Sequence, residues 1–252
     1  MTQMIAFASF RRGVGRSALV ANLAVLLAKQ GNIVGLLDLN LRSPSLHDIF
    51  PSGSETAATI NDFLHGKIEI NATIQALTPK LGADPKGQLW FVAASGLPHE
   101  IAATSRYGYD AAQLDDGLAT FSQALDLDLL FVELNAGLDE EILRAMVLAD
   151  SVAIVLRHDQ QNYQGAAVMV DIAQRLGVRP LLIVNELPTR YDADAVATQV
   201  ESAVGCPVIG VIHHDESLNQ DGLLVLREPQ HPLIQHLQSI AQRLIAPPQP
   251  RL

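Results

Sequence analysis

Short apolar runs recur along the chain, each bounded by turn-forming residues and followed by a stretch whose apolar positions return every three or four residues. The runs at 4–9, 33–38, 89–93, 129–134, 152–157, 180–185 and 208–212 predict strands. Several, such as Leu-Leu-Phe-Val from Leu129 and Val-Ala-Ile-Val from Val152, are continuously apolar rather than alternating. That is the pattern of strands covered on both faces in a parallel sheet. The intervening periodic stretches predict helices over 17–30, 111–125, 140–149, 161–176 and 193–204, with a last helix over 231–245. Strand and helix in alternation imply right-handed crossovers and a doubly wound, mainly parallel α/β sheet of about seven strands with helices on both faces. Ligands of such folds sit at the carboxyl ends of the strands. The rhythm never breaks, so residues 1–246 read as a single domain and 247–252, rich in proline, as a flexible tail. Residues 41–88 are less regular, punctuated by Ser, Pro, Gly and Thr, and predict a mobile surface of short helices.

Composition adds bounds to this picture. With 252 residues and 48% hydrophobic content, the chain can bury a large core without disulfides or metals. Cys206 is the only cysteine and reads as a small buried hydrophobe. No run reaches the ~18 apolar residues of a membrane span, and the N-terminus lacks a secretion signal; the expectation is a cytoplasmic protein. A formal charge of −10 with no basic cluster argues against nucleic-acid binding.

The first strand runs into Phe-Arg-Arg-Gly-Val-Gly-Arg-Ser, residues 10–17, and then into an apolar helix. Strand, glycine-containing loop and helix is the context of a phosphate-binding loop. Gly13 and Gly15 permit backbone conformations that aim amides into one concavity, and the helix N-terminus favours an anion there. Ser17 stands where a hydroxyl would meet Mg²⁺. Two positions depart from the usual pattern: Phe10 replaces its first glycine and Arg16 its lysine.

Set in order, five segments resemble the MinD/ParA family of deviant Walker A P-loop ATPases. Arg11 to Ala24 is similar to that family's loop and first helix. Leu36 to Ser45 resembles its D-x-D segment, Leu129 to Leu138 its Walker B strand, Val184 to Pro188 its V-N-[KR] stretch, and Cys206 to Glu216 its I-P-x-L-G-x-I-P-x-D segment. The resemblance covers nearly the whole chain. It implies ATP or ADP with Mg²⁺ as ligand, held by Arg11, Gly13, Val14, Gly15, Arg16, Ser17 and Ala18, with Asn185 near the base. It implies Ser17, Asp38 and Glu133 around Mg²⁺, and Arg11 at the face of a homodimer that engages a further protein partner.

The departures fall on the chemistry. Asn40 stands where the family has an acidic residue that handles the attacking water, and an amide cannot accept that proton. Glu133 replaces an aspartate, and Arg16 a lysine that touches phosphate; neither exchange is conservative at a tight site. The expectation is a degenerate ATPase, slow or inactive, acting in intracellular positioning or partitioning. The alternatives are a nucleotide-independent scaffold, a slow ATPase in which Glu133 or a residue of 41–50 has taken over, and a small-molecule synthase on the same fold.

Other conspicuous residues read as structural. His213 and His214 adjoin on a strand end and point to opposite sides. His158-Asp159 reads as a loop cap, and Asp139, Glu140 and Glu141 as acids at a helix start. The last helix carries Leu233, Ile234, Leu237, Ile240, Ala241 and Leu244 on one face, with only Arg243 basic on the other. It reads as docked on the protein's own sheet rather than as a membrane-targeting helix.

Overall fold

A computed structural model describes residues 2–51, 57–82, 85–219 and 223–247. In chain order the elements are β1 (Gln3–Ser9), α1 (Arg16–Lys29), β2 (Ile33–Leu39), α2 (Leu46–Ile49), α3 (Ile60–Leu64), β3 (Ile74–Ala76), β4 (Gln88–Val92), α4 (Pro98–Tyr107) and α5 (Ala111–Ala124). There follow β5 (Leu129–Ala136), α6 (Glu140–Val147), β6 (Ser151–Leu156), α7 (Gln160–Arg175), β7 (Arg179–Leu187), α8 (Ala193–Val204), β8 (Val208–His213), α9 (Leu224–Arg227) and α10 (Leu233–Ile245).

The strands form one eight-stranded sheet in the order β3-β4-β2-β5-β1-β6-β7-β8. All pairings are parallel except β3 with β4. The mainly parallel α/β sheet is the expected one, with one strand more than the sequence suggested. The addition is β3, a three-residue edge strand too short to show a period. Residues 57–82 otherwise hold short helical turns, as the broken pattern there predicted. Pro98, at the first turn of α4, starts a helix that the sequence reading missed.

The continuously apolar strands are buried on both faces. One core layer packs Leu19, Leu23 and Leu27 of α1 and Leu237 and Leu244 of α10 against one face of the sheet. The other packs Leu114 and Phe121 of α5, Met146 of α6, Met169 of α7 and Val200 of α8 against the opposite face. Small residues set the close approaches. A Cβ at Gly35 of β2 would lie 2.5 Å from Leu127, and one at Gly210 of β8 would lie 2.3 Å from Ile240 of α10. The last helix is thus docked on the sheet, its six apolar positions buried. No helix among the described residues is long and apolar enough to cross a membrane. Residues 248–252 of the anticipated tail lie outside the described residues.

Parallel pairing brings the carboxyl ends of β1, β2, β5, β6, β7 and β8 to one edge of the sheet. The loops after β1, β2 and β5 meet there around the N-terminus of α1.

Candidate functional site

The loop after β1 uses its glycines for backbone shape. Gly13 and Gly15 have φ of 73° and 76°, in the left-handed region that other residues avoid. Gly15 is also the residue before α1, with no side chain capping the helix, so no acceptor from the chain competes for its first amides. A Cβ at Gly15 would come 2.4 Å from Nδ2 of Asn185. That nitrogen donates to the Val14 carbonyl at 2.9 Å, and Val14 itself is 2% exposed. Asn185, expected beside the base, is therefore buried beneath the loop and clamps it.

Arg16 turns inward. Its Nε donates to Oε1 of Glu133 at 2.9 Å, and its Nη1 donates to the Ser9 hydroxyl at 2.9 Å and the Asn135 carbonyl at 3.3 Å. Glu133 is fully buried and Arg16 only 6% exposed. The Ser17 hydroxyl donates to the same Oε1 at 2.5 Å and accepts from Ser45 at 2.7 Å. Glu133 faces Asp38 across the β2–β5 pairing. Oδ1 of Asp38 accepts from the Asn40 amide at 2.9 Å. Burial, reinforced by the charge of Glu133, pushes the Asp38 carboxyl up to about 7. Oδ2 of Asp38 and Oε2 of Glu133 are buried without a hydrogen-bond partner among the described residues.

These two free oxygens, with the Ser17 hydroxyl, are the hard oxygen donors that a divalent cation such as Mg²⁺ takes. The residues present fit such an ion, which would offset the adjoining carboxylate charges. Asn40 spends its side-chain nitrogen on the Ser43 carbonyl at 2.5 Å. Arg42, in the same loop, pairs with Asp139 at 2.7 Å and Glu141 at 3.2 Å, which fastens the loop after β2 to the start of α6. Asp139 also caps α6, as the acidic start had suggested.

Together these groups bound a cavity of about 250 Å³ lined by the 12–18 backbone and side chains, Ser9, Asn40, Ser43, Ser45 and Ala136. Gly13, Val14, Gly15, Arg16, Ser17 and Ala18 all line it; Arg11, Asp38, Glu133 and Asn185 do not. Larger clefts lie elsewhere, one of about 590 Å³ at the amino ends of the strands beside α5, with no comparable convergence of donors.

The loops after β7 and β8 flank the site. Glu186 adopts a left-handed backbone, φ 57°, and its Oε2 meets Nδ1 of His214 at 2.5 Å. That contact raises the His214 ring above its ordinary value. His213 turns instead to the Leu187 carbonyl at 3.3 Å, so the adjacent histidines do go to separate partners. Asp159 caps α7 through the Asn162 amide. Burial works to raise its carboxyl; hydrogen bonds from Asn162 and Gln161, and then the charge of Arg11, bring it below the ordinary value. His158, next to it, hydrogen-bonds Tyr163 and stands edge-on to Tyr191 at 4.6 Å. The fold assembles this aromatic group, because Tyr191 is far in the chain from His158 and Tyr163.

Comparison with known proteins agrees with this geometry. A ParA family profile, described as NUBPL iron-transfer P-loop NTPase, matches residues 1–73, the span that contains the loop. An uncharacterized ATP-binding protein of Methanocaldococcus jannaschii is 27% identical over 249 residues, covering 97% of this chain and 88% of that protein. The chain is similar to MinD/ParA P-loop proteins in sequence and in fold. Among solved structures, the MinD cell division protein of Aquifex aeolicus superposes on this MinD/ParA-like chain with a TM-score of 0.78 at 21% identity, covering 99% of this chain and 100% of that one. Septum site-determining MinD of Pyrococcus horikoshii, solved with Mg-ADP, gives 0.77 at 17% identity, covering 97% and 96%. At these identities the structures establish a shared fold.

Proposed function

We propose that this chain binds ATP or ADP with Mg²⁺ at the loop after β1, and acts as a cytoplasmic positioning or partitioning protein whose hydrolysis is slow or lost. The observation that carries the reading is the loop itself. Two left-handed glycines and an uncapped helix N-terminus open onto a cavity of about 250 Å³ with a serine hydroxyl at its floor, which is the machinery that a polyphosphate needs. The ATP-binding relative and the Mg-ADP complex of a protein of like fold support nucleotide as the anion's carrier.

Slow hydrolysis follows from Asn40. Its amide cannot take a proton from water, and its nitrogen is already engaged by Ser43. Residues 1–246 act as one unit in this reading, and two copies pair through the loop faces, with Arg11 on the shared surface.

Titration calorimetry of the purified chain with ATP, with and without Mg²⁺, tests binding; phosphate release under the same conditions tests turnover. Micromolar binding strengthened by Mg²⁺, with turnover well below the ~1 s⁻¹ of an ordinary enzyme, is the expected result. No heat at millimolar ATP, at two temperatures, would leave the scaffold reading instead.

A further inference from the structure

Arg16 holds the sequence position from which a lysine would reach phosphate, yet the structure gives its charge another task. The guanidinium makes an ion pair with Glu133, which has no exposure at all, and donates to Ser9 and the Asn135 carbonyl. Withdrawing it toward a ligand would strand a fully buried carboxylate, among the costlier changes a protein can make. Arg16 lines the cavity, but its charge is cancelled by Glu133 buried behind it, and Asp38 adds no charge that favours an anion.

Two further arginines leave the same loop. Arg11 stands on the side of α7, where it acts on Asp159, and it does not line the cavity. Arg12 does line it. Arg12 is exposed and makes no ion pair or hydrogen bond among the described residues. It precedes Gly13, whose left-handed turn leaves open space beside it. We infer that Arg12, not Arg16, supplies the uncompensated positive charge that grips the phosphate chain of the ligand, while Arg16 is a staple that fixes the floor of the site. This rests on the nucleotide reading for the identity of the ligand, but not for the location of the charge. In physical terms, the cation of the loop has moved four residues toward its N-terminus.

The test uses the full-length chain and two probes, ATP and inorganic tripolyphosphate, titrated calorimetrically against the wild type, Arg12→Ala, Arg12→Lys and Arg16→Lys. Ligand-free melting temperatures are recorded for all four. Loss of one charge-assisted contact weakens binding by about tenfold or more. Arg12→Ala is expected to lose that much for both probes at an unchanged melting temperature. Arg12→Lys is expected to restore most of it, because an exposed site tolerates a point charge. Arg16→Lys is expected to lower the ligand-free melting temperature, because lysine cannot make the three bonds of the fork. Wild-type affinity in Arg12→Ala overturns the inference, whatever Arg16→Lys does. Tripolyphosphate bound through Arg12 with no response to ATP would uphold it and sink the nucleotide reading. Silence toward both probes would end both.

Discussion

Arg16 and Glu133 each depart from the family pattern by a longer side chain, and the sequence presents them as two separate losses. In the structure they are the two halves of one buried contact, 2.9 Å long, which also holds the Ser17 hydroxyl. Such a pairing is not legible from the chain, because the residues are 117 positions apart and meet only because β5 lies beside β1, whose loop leads into α1. Asn185 shows the same limit: its nitrogen bonds the Val14 carbonyl, 171 positions away, a contact that no motif displays. What did show was the loop, because glycine at a left-handed position is a local requirement. Asp38 carries a testable consequence. Its carboxyl is raised from 3.8 to about 7, first by burial and then by Glu133. Between those values the folded chain holds a proton that the unfolded chain has released, so stability falls as pH rises through that window. At roughly 1.4 kcal/mol per pKa unit, the charge on Asp38 costs on the order of a few kcal/mol once pH exceeds the folded value. Asp38→Asn keeps an oxygen for the Asn40 amide and never ionises. Its melting temperature should match the wild type near pH 4 and exceed it increasingly up to pH 8, in the absence of Mg²⁺. A gap that stays constant with pH would show that the charge on Asp38 is not what limits stability.

Elements with a long apolar period were legible and short ones were not. The last helix shows its face every three or four residues, and that face is buried as expected. The edge strand β3, with three residues, and α4, whose only buried residue is Thr104, offer no period to read. The fit of α10 to β8 is invisible in either element alone, since it depends on a missing side chain. At Gly210 an added Cβ would lie 2.3 Å from Cγ1 and 2.5 Å from Cδ1 of Ile240. Ile240 is 2% exposed and has no free direction in which to yield. Gly210→Ala should therefore destabilise the chain by about 1–3 kcal/mol, and Ile240→Ala by about 2–5 kcal/mol through its cavity. Together they should cost less than their sum by more than ~0.5 kcal/mol, because each relieves the other. Urea midpoints of the four chains measure this. Strict additivity would mean that the helix shifts rigidly away from the strand instead of packing on it.

At the scale of the molecule, a body with a formal charge of −10 presents two exposed arginines, Arg11 and Arg12, at the edge where the strands end. Two such faces brought together about a two-fold axis would set four guanidinium groups against each other, while the acidic bodies behind them also repel. Neither charge distribution favours pairing of empty chains. A polyphosphate in each loop reverses the balance at the face alone, since each brings several negative charges to the arginines of both copies. Association through this face should therefore depend on ligand. Light scattering after size-exclusion chromatography should give the 27.2 kDa monomer without nucleotide and a dimer with saturating Mg-ATP. Arg11→Ala should remove the dimer while leaving the ATP affinity of the monomer, measured at dilution, within about threefold, because Arg11 lies outside the cavity. Raising salt should weaken the dimer, as the Debye length contracts from about 10 Å at 0.1 M toward 3 Å at 1 M. A dimer already complete without nucleotide, and indifferent to Arg11→Ala, would locate the self-contact on another surface. A monomer at every ATP concentration that saturates the site would confine the loop arginines to holding the ligand within one chain.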